Sequence, residues 1–211
     1  QRQMCIRDSC HDVLHNIKHG DGDLKKLTGR KSSFNVEQES NQKFEKVIIW
    51  MPTFRKLRSG ERIDSNVELT MGVPILKNNE DFCKLDEKLA SKKVLLVIKI
   101  HPMQDTSKIR IRSTNNIVVL DGNTVKELGI DNYRLMVDTD AMITDYSSSG
   151  TDYLQTQNPL AYTLSDMNEY KLGFIVENIH ELMPGKKIYS LNDLLIFIDD
   201  VVDGRDKYVK E

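Results

Sequence analysis

Apolar runs rich in β-branched residues, each followed by a longer stretch of helical spacing, constrain this chain more than any other feature. Residues 47–51 (Val-Ile-Ile-Trp-Met), 94–100 (Val-Leu-Leu-Val-Ile-Lys-Ile), 117–120 (Ile-Val-Val-Leu) and 141–144 (Ala-Met-Ile-Thr) show almost no polar alternation. A strand with one wet face alternates; a strand without alternation is covered on both faces. Residues 80–90 place Phe82, Leu85 and Leu89 on one helical face. Asp131 can cap a short helix through Val137, and Ser147 or Ser148 one that runs to about Gln155. Pro159-Leu160-Ala161-Tyr162 opens a fifth strand. Ser190-Leu191-Asn192-Asp193 is a capping-box-like start for a last helix, with Leu194, Leu195, Phe197, Ile198 and Val201 on its buried side. Strands joined by helices imply right-handed crossovers, and so an α/β fold with a doubly wound parallel sheet.

The 211 residues suffice for one domain with a well-buried core. A formal net charge of -2 gives no global basic field to draw nucleic acid, so any phosphate ligand must be held by local geometry. No apolar run approaches the roughly 18 residues that span a bilayer, and no secretory leader pattern opens the chain. Three cysteines at unrelated positions do not form a disulfide framework. These features together predict a cytoplasmic protein without a membrane span.

The chain begins at Gln1, and residues 1–9 read as an artefactual start. Residues 18–46, with Gly20, Gly22, Gly29, Ser32 and Ser33 among many charges, read as an interdomain linker with a short helical turn at Leu24 to Leu27. The expected division is therefore 1–46 as start plus linker and 47–211 as the folded domain. His11, His15 and His19 would share a helix face near Cys5 and Cys10. Their spacing matches no zinc-site pattern, so no metal site is assigned.

In doubly wound sheets ligands bind outside the carboxyl ends of the strands, which selects the residues that matter. Asp145-Tyr146-Ser147-Ser148-Ser149 follows one strand and opens a helix. First-turn amides lack intrahelical partners, so such a turn can hold an anion; a plain N-cap is the commoner role. His101, stiffened by Pro102, leaves the end of another strand, where an imidazole can donate to a phosphate oxygen or move a proton. In Met51-Pro52-Thr53-Phe54-Arg55 the guanidinium can clamp a phosphate in bidentate fashion and Thr53 can donate through its hydroxyl. The alternative for Arg55, Lys56 and Arg58 is an ordinary solvated basic turn.

Taken in order, Met51-Pro52-Thr53-Phe54-Arg55, Lys99-Ile100-His101-Pro102 and Thr144-Asp145-Tyr146-Ser147-Ser148, then Asp166 to Tyr170, Gly173-Phe174 and Pro184-Gly185, resemble the motif set of the CDP-glycerol glycerophosphotransferases. The match covers about residues 47 to 200. The resemblance implies the second of two Rossmann-like domains that face a cleft in the GT-B arrangement. It implies His101 in the active site near the donor phosphates, Asp145, Ser147 and Ser148 at the pyrophosphate and ribose, and Thr53 and Arg55 lining the same cleft. It further implies CDP-glycerol as donor substrate with no separate cofactor, and a lipid-linked glycerol-phosphate acceptor. A second catalytic histidine, in a His-Gly motif, belongs to the family's first domain; His19-Gly20 lies too near the Met51-Pro52 strand end to be that residue. Membrane contact, at the inner face, is expected only through regions outside this chain. Ser9-Cys10-His11-Asp12, Leu172 and Lys186 depart from the family's usual residues.

Two rival readings share the same residues. A GT-B glycosyltransferase using a nucleotide sugar would present a similar strand-end phosphate site. A non-catalytic nucleotide-binding module would use Asp145 and the serines only as caps.

Overall fold

A computed structural model describes residues 22–28, 44–55, 69–169 and 183–205 of the chain. Its six strands are β1 (Lys46–Trp50), β2 (Val94–Lys99), β3 (Ile117–Leu120), β4 (Ala141–Thr144), β5 (Leu160–Thr163) and β6 (Lys186–Ile188). They form one parallel sheet in the order β3-β2-β1-β4-β5-β6. The helices are α1 (Lys25–Thr28), α2 (Asn79–Lys92), α3 (Gly122–Leu128), α4 (Asn132–Val137), α5 (Ser149–Tyr153) and α6 (Leu191–Asp203). The expected doubly wound, Rossmann-like α/β fold is the one found.

Strand alternation divides the core between the two faces of the sheet. Ile48, Trp50, Leu96, Ile98 and Ile143 point to one side, against Phe82, Leu85 and Leu89 of α2 and Leu194, Phe197, Ile198 and Val201 of α6. Ile49, Leu95, Val97 and Met142 point to the other, against Leu135 and Met136 of α4 and Tyr153 of α5. Each fully buried Leu or Phe contributes about 1.5–3 kcal/mol, so both layers are held chiefly by these contacts. The expected stripe on α6 is buried except Leu195, which lies at its edge.

Two elements are not among those expected from the sequence. Helix α3 buries none of its residues; Asp121 caps it through the Thr124 N–H (2.8 Å), and Gly129 closes it in the left-handed conformation. Strand β6 has a single buried apolar residue, Ile188, and sits at the sheet edge. Gly185 leads into it with φ +134°, and a Cβ there would collide with the Leu160 carbonyl, so only glycine fits.

The short helical turn expected within the linker is present as α1, and it is docked. Asp138 accepts from the N–H groups of Gly22 and Leu24 (3.1 Å each). Buried Asp23 accepts from the Asp131 N–H (2.7 Å) and pairs with Lys26 (3.0 Å) and Arg134 (3.2 Å). Residues 22–28 therefore pack on α4. The His11, His15 and His19 group, Cys5, Cys10, Arg58 and the Gly173-Phe174 pair lie outside the described residues.

Candidate functional site

After β3 the chain returns across the sheet and lays β4 beside β1, so the connections leave these two strands in opposite directions. The crevice outside their carboxyl ends is the switch point where doubly wound folds bind ligands. Three bonds fasten this edge. The Met51 N–H donates to the Ile143 carbonyl (2.8 Å), the Thr144 hydroxyl to the Met51 carbonyl (2.9 Å), and the Thr163 hydroxyl to the Thr144 carbonyl (3.1 Å). The ends of β1, β4 and β5 thus move as one body.

Asp145 is the hub below the crevice and is 0% exposed. Its carboxylate accepts from the Thr53 N–H (3.0 Å to each oxygen), the Thr53 hydroxyl and the Tyr146 N–H (2.7 Å), and pairs with Arg55 Nη1 (2.9 Å). Arg55, 3% exposed, reaches onward to Asp166, 2% exposed, through Nε (2.6 Å) and Nη2 (3.2 Å). Its Nη1 also donates to the Thr53 carbonyl (2.8 Å), and its guanidinium lies 5.1 Å from the Tyr146 ring centroid. The Tyr146 hydroxyl donates to Asp166 (3.0 Å). Burial opposes the charge on Arg55, but Asp145 and Asp166 outweigh it and hold the guanidinium protonated far above any working pH. Burial and then the Asp166 charge likewise keep Tyr146 a neutral phenol.

The sequence leaves Arg55 as either a phosphate clamp or part of a solvated basic turn; the structure buries it at 3% exposure against protein acceptors. All three of its nitrogens face protein acceptors, because two buried carboxylates converge on it. It builds the floor of the crevice instead. Asp145, for its part, faces the turns that follow β1 and β4 and sets their positions.

His101 follows β2, next to β1 in the sheet, and is half-buried. Its ring stacks at a tilt against Phe54, with centroids 5.0 Å apart, which ties it to the β1 turn. The neighbouring Gln104 accepts from the Arg55 N–H (3.0 Å). The Met103 N–H donates to His101 Nδ1 (3.1 Å), so the neutral ring carries its proton on Nε2. Burial, then the positive charge of Lys99, pushes its pKa below the ordinary histidine value. Near pH 7 this is a neutral imidazole with an Nε2–H to donate.

The serine turn resolves the choice of cap. The Ser147 hydroxyl accepts from the Ser149 N–H (3.2 Å) and hydroxyl (2.8 Å), whereas Ser148, in the N-cap position, makes no side-chain cap and is exposed. Helix α5 runs Ser149–Tyr153 and passes into a 3-10 turn at Leu154–Thr156. Among the described residues, the Ser147 and Ser148 N–H groups and the Ser148 hydroxyl meet no protein partner. Gly150 allows this turn to seat closely: a Cβ there would lie 3.0 Å from Thr144 Cγ2 and 3.1 Å from the Tyr162 ring.

Of the residues selected from sequence, Thr53, Arg55 and Asp145 touch one another directly, and His101 joins them through Phe54. Ser147 and Ser148 extend the same edge beyond Tyr146. Sequence reasoning assigned no role to Tyr146, Gln104 or Asp166. Asp166 was marked only as the start of a motif, and its pairing with Arg55 across 111 positions leaves no local pattern. Among the described residues no three His, Cys, Asp or Glu side chains gather to hold a metal ion.

The sequence model of a family described as CDP-Glycerol:Poly(glycerophosphate) glycerophosphotransferase matches residues 12–211. No curated protein matches the chain. Among solved structures, the wall teichoic acid polymerase TagF is similar at 22% identity and TM-score 0.58, covering 95% of this chain and 44% of that one. A histidine variant of TagF matches at 20% identity and TM-score 0.59, with the same coverage. The same variant soaked with CDPG matches at 21% and 0.54, covering 80% of this chain and 38% of that one. The chain thus spans less than half the length of these polymerase structures, and at such identities they show a shared fold.

Proposed function

The chain belongs to the CDP-glycerol:poly(glycerophosphate) glycerophosphotransferase family, and on that premise we propose that it forms the donor-binding half of an enzyme moving glycerol phosphate from CDP-glycerol to an acceptor hydroxyl. The acceptor is a lipid-linked primer or the growing polymer of teichoic-acid type, and CMP is released. The acceptor oxygen attacks the glycerol-bearing phosphorus as the bond to the CMP phosphate breaks. The hydroxyl proton passes to a base outside this chain.

The observation that carries this reading is the family match along residues 12–211, which supports reading the switch-point crevice as a donor site. The roles proposed here are consistent with the geometry. His101 Nε2–H donates toward the leaving phosphate and offsets the charge that grows there. The unpartnered N–H groups at Ser147 and Ser148 and the Ser148 hydroxyl hold the diphosphate. The buried Thr53, Arg55, Asp145 and Asp166 network fixes both turns before the donor arrives, so positioning is already in place. No described helix is long and apolar enough to cross a membrane. In this reading the lipid-linked acceptor is met at the inner membrane face through other parts of the enzyme.

The test is an assay of residues 1–211 with CDP-glycerol. The chain is expected to bind the donor weakly and release no CMP, because the acceptor-activating base lies elsewhere. Robust CMP release by this chain alone would overturn the division of labour. Competition by UDP-sugars in place of CDP-glycerol would favour a nucleotide-sugar glycosyltransferase instead.

A further inference from the structure

The floor of the crevice has a charge deficit. One guanidinium stands against two carboxylates, which leaves one net negative charge buried beneath a site read as holding a diphosphate. His101 is neutral near pH 7 and supplies a dipole, not a charge. An anion seated here needs a cation that the floor has not already used.

Lys99 is that cation. It is the last residue of β2, 4% exposed, and among the described residues it has no hydrogen-bond or ion-pair partner. Strand alternation puts its side chain on the face of Val97, and its register partner Leu120 belongs to the same core layer. Tyr153 of α5 packs in that layer too, so Lys99 and the serine turn lie on the same side of the sheet. They leave strands two positions apart, β2 and β4, about 10 Å across β1. The acid whose charge it feels is Asp131, which is occupied as the cap of α4 through the N–H groups of Tyr133 and Arg134.

A lysine side chain enclosed to 4% exposure, with no protein partner for its charge among the described residues, is costly, and a methionine of similar length would suit an apolar layer better. Its place at a strand's carboxyl end, two residues before His101, suits a cation that a ligand completes. We propose that Lys99 is the phosphate-binding cation of this site, taking one phosphate of a nucleoside diphosphate whose other contacts are the Ser147 and Ser148 amides. The proposal rests on reading the crevice as a donor site. Burial lowers the lysine's own pKa, as expected for a cation waiting for its counterion, and a bound phosphate would restore it.

The experiment is calorimetric titration of the 211-residue chain and its Lys99→Met and Lys99→Arg variants with CDP, cytidine and inorganic pyrophosphate. Lys99→Met is expected to weaken CDP and pyrophosphate by about tenfold to a hundredfold and to leave cytidine unchanged. It should melt at or above the wild-type temperature, while Lys99→Arg keeps CDP binding. Equal CDP affinity in the Met variant overturns the role of Lys99 and leaves the donor reading intact. A Met variant that melts below wild type makes the lysine structural and also overturns it. If wild type binds pyrophosphate but not CDP, and Lys99→Met weakens pyrophosphate, the lysine's role holds and the donor reading falls. If wild type binds neither, both fall.

Discussion

Arg55 carries a single positive charge into a space shared with Asp145 and Asp166, so truncating it leaves two buried carboxylates without a counterion. Arg55→Met should cost about 3–5 kcal/mol in urea unfolding. Arg55→Lys should recover part of that, since a point charge replaces the fork. A loss within about 0.5 kcal/mol, the range of an ordinary surface substitution, would mean the network is not the floor described here. His101 offers a second test. Its pKa is depressed when folded, so the fold favours the neutral ring. That contribution is complete above about pH 6.5 and is lost as pH falls through the lower folded value. NMR titration of the imidazole should place its midpoint below the unfolded one; a midpoint at or above it would contradict the burial beside Lys99. At this scale the sequence located the polar residues at strand ends but not the carboxylates that Arg55 pairs with. A guanidinium's offered donors look the same on paper whether a phosphate or two distant aspartates will take them.

Elements were legible where one apolar pattern decided them. The runs at 47–51 and 94–100 became β1 and β2 within a residue at either end, because their only possible setting was a sheet covered on both faces. Helix α6 was legible twice over, from its stripe and from Ser190, whose hydroxyl takes the Asp193 N–H while the Asp193 carboxylate takes the Ser190 N–H. Helix α3 was not, because Gly122–Leu128 offers only Val125 and Leu128 as an apolar edge, and both are no more than partly buried. That difference is measurable. Asp121→Ala removes the bond to Thr124 and should speed amide exchange through 122–128, at a global cost of about 1 kcal/mol. Unchanged exchange there would mean that the packing of Val125 and Leu128, not the cap, holds the helix. Docking of residues 22–28 was equally hidden, since Asp23 and Asp138 find those partners across more than a hundred positions.

For the molecule as a whole, the strand order makes the claims above one claim. Placing β4 beside β1 brings the Thr53, His101 and serine turns to one edge, and Gly150 lets α5 sit close enough to present its first amides there. The direct measurement is an amide-resolved NMR titration of the chain with CDP. The account predicts shifts concentrated at Thr53, His101, Ser147 and Ser148, all along the carboxyl edge of the sheet. Shifts confined to the outer surfaces of α2 and α6, or none at saturating CDP, would contradict it.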